Sequence, residues 1–422
     1  MSAVLRLYGK MESYSNNLKK LIHFSSQNIK SQTMRLPTFV AYHQWSVDTS
    51  TYWQLLDDEN KRRRDRRIPR CALRPFKFSS FKYLYSSGNE QALLNATGFD
   101  HNTFDILHDK FKHTYDHHMV TVDGIIRKKK LDEDGVPMGR VRDLHSIGAL
   151  GIVLMWYRTR GSCARSLSMM FGQTSTCLYK WLKFSRKVLL QVLSRDIDSI
   201  IQLPSLEKVR FYQEVIGNKY PLCSDVWAAA DGIKLLLEKS GDDSKQNYHL
   251  NGWKNGHFIN CVFVFCPDGK ISLCLLNAPG TFHDSTMSDY GVYKGLEAVY
   301  TLCGGKVVVD SAFKMSDANY LVRSSQRDPG NAYLLLLNRQ ATSIRQLSEW
   351  GMRMVQGQFP RLKDALQYEE KGERKVILTL MVHLYNFHCA NIGINTIQNA
   401  YCEKTNYFGR HAIDEDANQL FV

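Results

Sequence analysis

The ten cysteines of this 422-residue chain, at positions 71, 163, 177, 223, 261, 266, 274, 303, 389 and 402, form no CxxC pair and no regular framework. That absence argues against a disulfide scaffold or a thiolate zinc site and fits reduced thiols in a cytosolic or nuclear protein. Cys261 and Cys266, inside an apolar run, read as core. No apolar run approaches the roughly 18 residues of a membrane span, and no secretory signal is legible, so a membrane partner is set aside. Nor is the chain poor in apolar residues: 44% are hydrophobic and 23% charged, which excludes disorder as the default reading. At this length two or three domains are expected.

Acids are scarce in one region. Residues 1–143 carry 24 Lys+Arg against 16 Asp+Glu, and residues 144–220 carry 11 against 4, so the formal charge of +14 lies wholly in the front half. A basic front joined to a near-neutral back suggests that the front meets a polyanion and the back does something else. The run "NKRRRDRRIPR", Asn60 to Arg70, reads as a nuclear-localisation patch, a phosphate-binding arm or a solvated linker. A second basic run, Arg127 to Lys130, leads into a loop with an Asp-Gly turn.

"TFDILHDKFKHTY" has helical periodicity, and three more helices follow from Leu144 to Leu193. "LHSIGALGIVLMWYR" is the first. "GSCARSLSMMFG" is the second, with Ser162 as candidate N-cap and Gly172 as stop. The third starts at Thr174 or Ser175 and carries Lys180, Lys183, Arg186 and Lys187. Two helices about a short Gly-containing turn, the later one basic, suit a helix-turn-helix that reads DNA, though such triplets also serve as plain packing modules.

After Pro204 the period changes. Val226–Glu238, Phe258–Phe265 and Lys270–Ala278 are short, apolar and bounded by Gly, Pro and Asp, and "CPDGK" is a hairpin turn, so an antiparallel meander is expected. A helix over Asp284 to Tyr300 then precedes the strand "KVVVD", whose unbroken valines suit a crossover strand buried on both faces. "YLLLLNR", Tyr333 to Arg339, is expected as a fifth strand, followed by helices over Ser343–Met354 and Lys375–Gly393. This order is that of a ribonuclease H-like fold, class α/β, with a mixed five-stranded sheet and flanking helices behind an all-α helix-turn-helix region. In such a sheet the ends of the first and fourth strands are neighbours, and here they carry Asp231 and Asp310; Glu349 on the following helix can reach the same point. Converging carboxylates repel unless a cation compensates, and oxygen-only ligands suit Mg²⁺ or Mn²⁺. A metal pair held this way serves in-line displacement at phosphorus, hence phosphodiester cleavage and transfer.

The blocks "AAADGIKLLLE", "NGWKNGHFINCVFVFCPDGKI", "LNAPGTFHDS", "VVVDSAF" and "IRQLSEWGMRMVQGQFPRLK", in order over residues 222–400, resemble the DDE catalytic domain of PIF/Harbinger transposases and the nucleases derived from them. The resemblance implies that Asp231, Asp310 and Glu349 are the triad, and it adds Asp284 of "GTFHDS", which could ligate a metal or cap a helix; His283 beside it reads as a hydrogen-bonding partner. Arg345 matches a basic position of the family and could touch a phosphate or pair with Glu349 one turn on. Many members carry Thr or His where this chain has Gly232–Lys234. Composition, periodicity and this resemblance together divide the chain into a basic segment over 1–75, a helical region over 76–143, a helix-turn-helix-like region over 144–220, the nuclease domain over 221–400 and a tail over 401–422, the first 140 residues matching nothing in the family. The implied function is transposition: recognition of terminal inverted repeats in double-stranded DNA, hydrolysis at the element ends and joining of the freed 3′ hydroxyls to target DNA. Action in the nucleus, a Myb-like helper protein and a homo-oligomer come with it by analogy. A domesticated DNA-binding protein, or a nuclease that cuts without joining, is the alternative.

Overall fold

The computed structural model describes Gln54 and residues 68–402, less 121–125, 136, 139–141, 162, 240–245, 253, 314–317, 324–330, 369–370 and 393–394. The expected N-cap Ser162 and most of the arginine-rich run therefore lie outside the described residues. Among the residues from 68 on, helices α1 (Ser80–Ser86), α2 (Glu90–Thr97) and α3 (His101–His117) come first, followed by a small antiparallel hairpin, β1 (His118–Val120) and β2 (Ile126–Lys128). Each helix start has a polar cap: Ser79, Asn89 and Asp100 side chains accept from backbone N–H groups three residues on. The hairpin takes up Arg127 and Lys128 of the second basic run, a pairing too short to register as alternation.

Next come α4 (Ser146–Arg158), α5 (Ala164–Phe171), α6 (Ser175–Leu193) and α7 (Leu206–Lys219). Between α5 and α6, Gly172 stops the helix in the left-handed region at φ 64°, as its position in the sequence indicates. Its lack of a side chain is obligatory, because a Cβ there would lie 1.8 Å from the carbonyl oxygen of Arg74.

The sheet comprises β3 (Val226–Leu236), β4 (Leu250–Asn251), β5 (Gly256–Phe265), β6 (Ile271–Pro279), β7 (Lys306–Val309) and β8 (Leu321–Arg323). Its order is β6–β5–β3–β7–β8, with the two-residue β4 beside β5 past the end of β6. β5 pairs antiparallel with both neighbours, while β3, β7 and β8 run parallel. The mixed curled sheet with flanking helices is a ribonuclease H-like α/β fold. Between β6 and β7 the expected single helix is two, α8 (Asp284–Ser288) and α9 (Val292–Cys303), broken at Gly291.

The expected fifth strand at Tyr333 to Arg339 is helical; it begins α10 (Ala332–Gln358), and β8 holds the strand position instead. Leucines favour helix where valines favour strand, and Asn331 caps the run by accepting from Leu334 N–H at 3.1 Å. α11 (Lys371–Asn391) and α12 (Thr396–Cys402) complete the described chain. No single described helix is long and apolar enough to cross a membrane.

One sheet face, with Val262, Val264, Val307 and Val309, packs on α7, α8 and α9. The other, with Ala229, Ile233, Phe263, Phe265 and Val308, packs on α10 and α11, and its core continues into α1–α6. Tyr157 of α4 donates to the Ile377 carbonyl of α11 at 2.8 Å, and Phe99 touches Phe387. Helices α1–α6 thus share a core with the sheet.

That shared core has a pH signature. His388 of α11 stands edge-on to Phe99 at 5.7 Å, and burial, then the Arg158 guanidinium, hold its imidazole down to about 4, with Asp100 opposing. The unfolded chain takes up this proton near pH 6.5 and the native chain only near 4, so the contribution is full above 6.5 and is lost as pH falls through 4. Its size is about 3 kcal/mol. His388→Gln should flatten denaturant-measured stability between pH 7 and 4; an unchanged slope would assign the acid sensitivity to other groups.

Candidate active site

β3 and β7 bring the two central carboxylates together. Ala229 is in register with Val308, and two residues further on Asp231 comes level with Asp310, the residue directly after β7. Adjacent strands are about 4.8 Å apart, and the two-residue period puts both acids on the face of Ala229 and Val308, toward α10. The valines of β7 bury that strand on both faces, which fixes Asp310 at its tip. Asp231 accepts from the Gly232 N–H at 2.7 Å, and Asp310 from the Ala312 N–H at 2.8 Å, an Asx turn that holds the second carboxylate.

Asp284, the first residue of α8, reaches the same point from the other face. A Cβ on Gly232 would lie 2.5–2.7 Å from the Asp284 carboxyl atoms, so the missing side chain is what admits them. The helix N-cap is His283, which makes no side-chain cap bond; Asp284 is turned to the strand and does not cap α8. Burial raises its pKa, the Asp310 charge adds to this, and Lys234 and His283 oppose it. Asp231 is raised to about 6 by burial, helped by Asp310 and Asp284 and opposed by the Gly232 N–H and Arg345. The three aspartates are therefore mutually repelling, and a bound cation would relieve the repulsion.

The loop before Asp284 is held by side chains that the sequence alone did not single out. Asn260, fully buried on β5, donates to the Phe282 carbonyl at 2.7 Å, and Asn251 donates to the Gly280 carbonyl at 3.1 Å. A Cβ at Gly280 would meet the backbone oxygens of Phe258 and His249 at 2.4 and 2.6 Å. Asn277 is left-handed at φ 64° and accepts from Arg374 Nε at 2.6 Å. The signal for Asn260 was present: one amide inside the apolar run "FINCVFVF". Beside this loop lies an open hollow of about 570 Å³ lined by Leu250, Asn251, Gly252, Thr281 and His283.

Glu349 is engaged by a cation of its own helix. Its carboxylate is 3.0 Å from Arg345 on the same face of α10, and its side chain is 39% exposed. Arg345 also opposes the upward shift of Asp231, so one guanidinium acts on both the third acid and the first. Among the described residues no group of three or more His, Cys, Asp or Glu side chains is set to hold a metal ion. The chemistry of the donors, carboxylate oxygens on the half-buried Asp231, Asp284 and Asp310, is the kind a hard divalent cation takes.

Of the basic residues on α6, Lys180 and Lys183 are exposed and Lys187 is half-buried. Arg186 corrects the expectation of a phosphate contact: it is 3% exposed, bonded to Glu373 at 3.0 Å and stacked over Trp156 at 3.7 Å. A buried, paired guanidinium cannot serve as a surface DNA contact.

Residues 230–386 match the family model described as DDE superfamily endonuclease. The match contains Asp231, Asp284, Asp310 and Glu349. Searches of curated proteins and of solved structures each found no match.

Proposed function

We propose that this chain is a divalent-metal-dependent DNA nuclease of transposase type, which cuts at terminal inverted repeats and joins the freed 3′ ends to target DNA. The observation that carries the reading is the pair Asp231 and Asp310 at matched height on parallel strands, coupled to Asp284, within a segment similar to DDE superfamily endonucleases. Asp231 and Asp310 would hold Mg²⁺ or Mn²⁺, with Asp284 and Glu349 as further oxygen donors. When bound, the metal supplies Lewis acidity at the phosphoryl oxygen and at the attacking and leaving oxygens.

The chain's own residues divide the remaining work. Arg345, one turn from Glu349, offers a guanidinium to a phosphate once that pair opens. Lys180 and Lys183 present charge to the DNA backbone from the exposed side of α6. The Harbinger subtype, a nuclear site of action, a Myb-like helper and assembly as a homo-oligomer that pairs two element ends complete the proposal.

A domesticated DNA-binding protein is the second reading, in which the third acid stays paired with Arg345. Incubating the full chain with repeat-ended duplexes and Mn²⁺ separates the two. Nicking at the repeat ends, followed by joined products, supports the transposase; tight binding with no cut strand supports the second reading. Gly232→Ala refines the site. The added methyl must push the Asp284 carboxylate aside, so cleavage is expected to fall about tenfold, roughly 1.4 kcal/mol of transition-state stabilisation, with thermal stability nearly kept. Unaltered cleavage would remove Asp284 from the site.

A further inference from the structure

From Arg66 to Asn89, and again from Leu144 to Arg195, the sequence contains no Asp or Glu. The described parts of these two acid-free segments meet in the fold. Phe81 of α1 stacks on Phe171 of α5 at 4.6 Å and 28°, and the Arg74 carbonyl sits against Gly172, in the turn that leads to α6. The segment from Arg74 to Phe81 is thereby seated against α5 and the turn that follows it.

The surface it presents there combines cations with bare aromatic rings. Arg70, Arg74 and Lys77 are exposed, and so are Phe78 at 66% and Tyr83 at 78%. The Lys77 ammonium is 5.7 Å from the Phe78 ring centre. The border is marked by α3, where Asp105 accepts from the Tyr85 hydroxyl at 2.7 Å. Flat rings among cations, without a carboxylate of the same segments to neutralise them, complement a polyanion that also offers flat apolar faces. Nucleic acid has that chemistry: phosphates for the cations, bases for the rings.

We propose that the segment Arg70–Tyr83 and the exposed start of α6 form one nucleic-acid contact surface, in which Arg70, Arg74 and Lys77 meet phosphates and Phe78 and Tyr83 stack on unpaired bases. Such bases occur where a duplex is opened or ends in an overhang. The proposal deepens the reading of DNA as the substrate and does not rest on the carboxylates, so binding is measured in EDTA without cleavage.

The probes are a blunt repeat-ended duplex and the same duplex with a four-nucleotide overhang, titrated with the full chain at several salt concentrations. Phe78→Ala with Tyr83→Ala should weaken overhang binding roughly tenfold or more, by lost stacking, and leave the salt slope unchanged. Arg74→Ala with Lys77→Ala should lower the slope of log affinity against log salt by about two for both probes. All four positions are exposed, and thermal melts of each variant verify folding. If both double variants bind like the parent while Lys180→Ala with Lys183→Ala loses affinity, the proposed surface is overturned and the DNA reading stands. If the ring variants alter only self-association in gel filtration, the surface is a protein contact and the proposal fails. If the parent binds neither probe, both readings fall.

Discussion

Asp310→Asn should reduce metal-dependent strand cleavage at least about a hundredfold, close to 3 kcal/mol of transition-state stabilisation, while duplex affinity stays within a few-fold. The substitution is nearly isosteric. The amide oxygen can still accept from the Ala312 N–H, so the turn after β7 keeps its holder. What changes is charge: one of the coupled aspartates becomes neutral, and a neutral amide is a poorer donor to a hard dication. Asp231 is the internal control. Its pKa near 6 is set first by burial, opposed by the Gly232 N–H and raised further by the charges of Asp310 and Asp284, so removing the Asp310 charge should move it down toward the ordinary carboxylate range. A carbon-detected NMR titration of the two proteins would show that shift in the metal-free state. Cleavage retained by Asp310→Asn would refute the metal assignment, whereas lost cleavage with an unshifted Asp231 would point to a structural lesion.

Much of this site was legible because its signals are local. "VVVD" announces a strand buried on both faces and a polar tip, and "AAADG" does the same for its neighbour; only their strand order had to be supplied by the fold. The engagement of Glu349 was legible as one of two options, since residues four apart on a helix always can meet. Other features depend on contacts far apart in sequence. Asn260 matters through the carbonyl of Phe282, and Gly232 through the carboxylate of Asp284, which no local pattern encodes. The fifth strand failed for a different reason. A run of leucines is apolar without period, length could not arbitrate, and leucine's preference for helix decided in favour of α10.

Arg186 was misread despite a usable signal. On a helix that turns about 100° per residue, Lys180, Lys183 and Lys187 fall within about 60° of each other, whereas Arg186 lies roughly 60–120° away on the side of Ser185 and Leu189, toward the core. The structure turns this into the second large prediction. Arg186→Ala leaves the Glu373 carboxylate, itself only 12% exposed, without its partner and uncovers the face of Trp156. Breaking a buried ion pair from one side costs about 3–5 kcal/mol, so denaturant unfolding should shift by that order. The pair taken as a unit should matter far less: Arg186→Met with Glu373→Gln is expected to regain most of the loss, because neither charge is then stranded, and the cycle of single and double variants measures the coupling. Among the described residues two atoms of the guanidinium, Nε and Nη2, have no hydrogen-bond partner, and the stacking on Trp156 carries part of what holds it there. A DNA-contacting arginine predicts the reverse: unchanged stability, weaker duplex binding and a salt slope lower by about one. Stability lost with the salt slope intact assigns Arg186 to the joint between the front helices and α11; stability kept with the slope reduced returns it to the DNA surface.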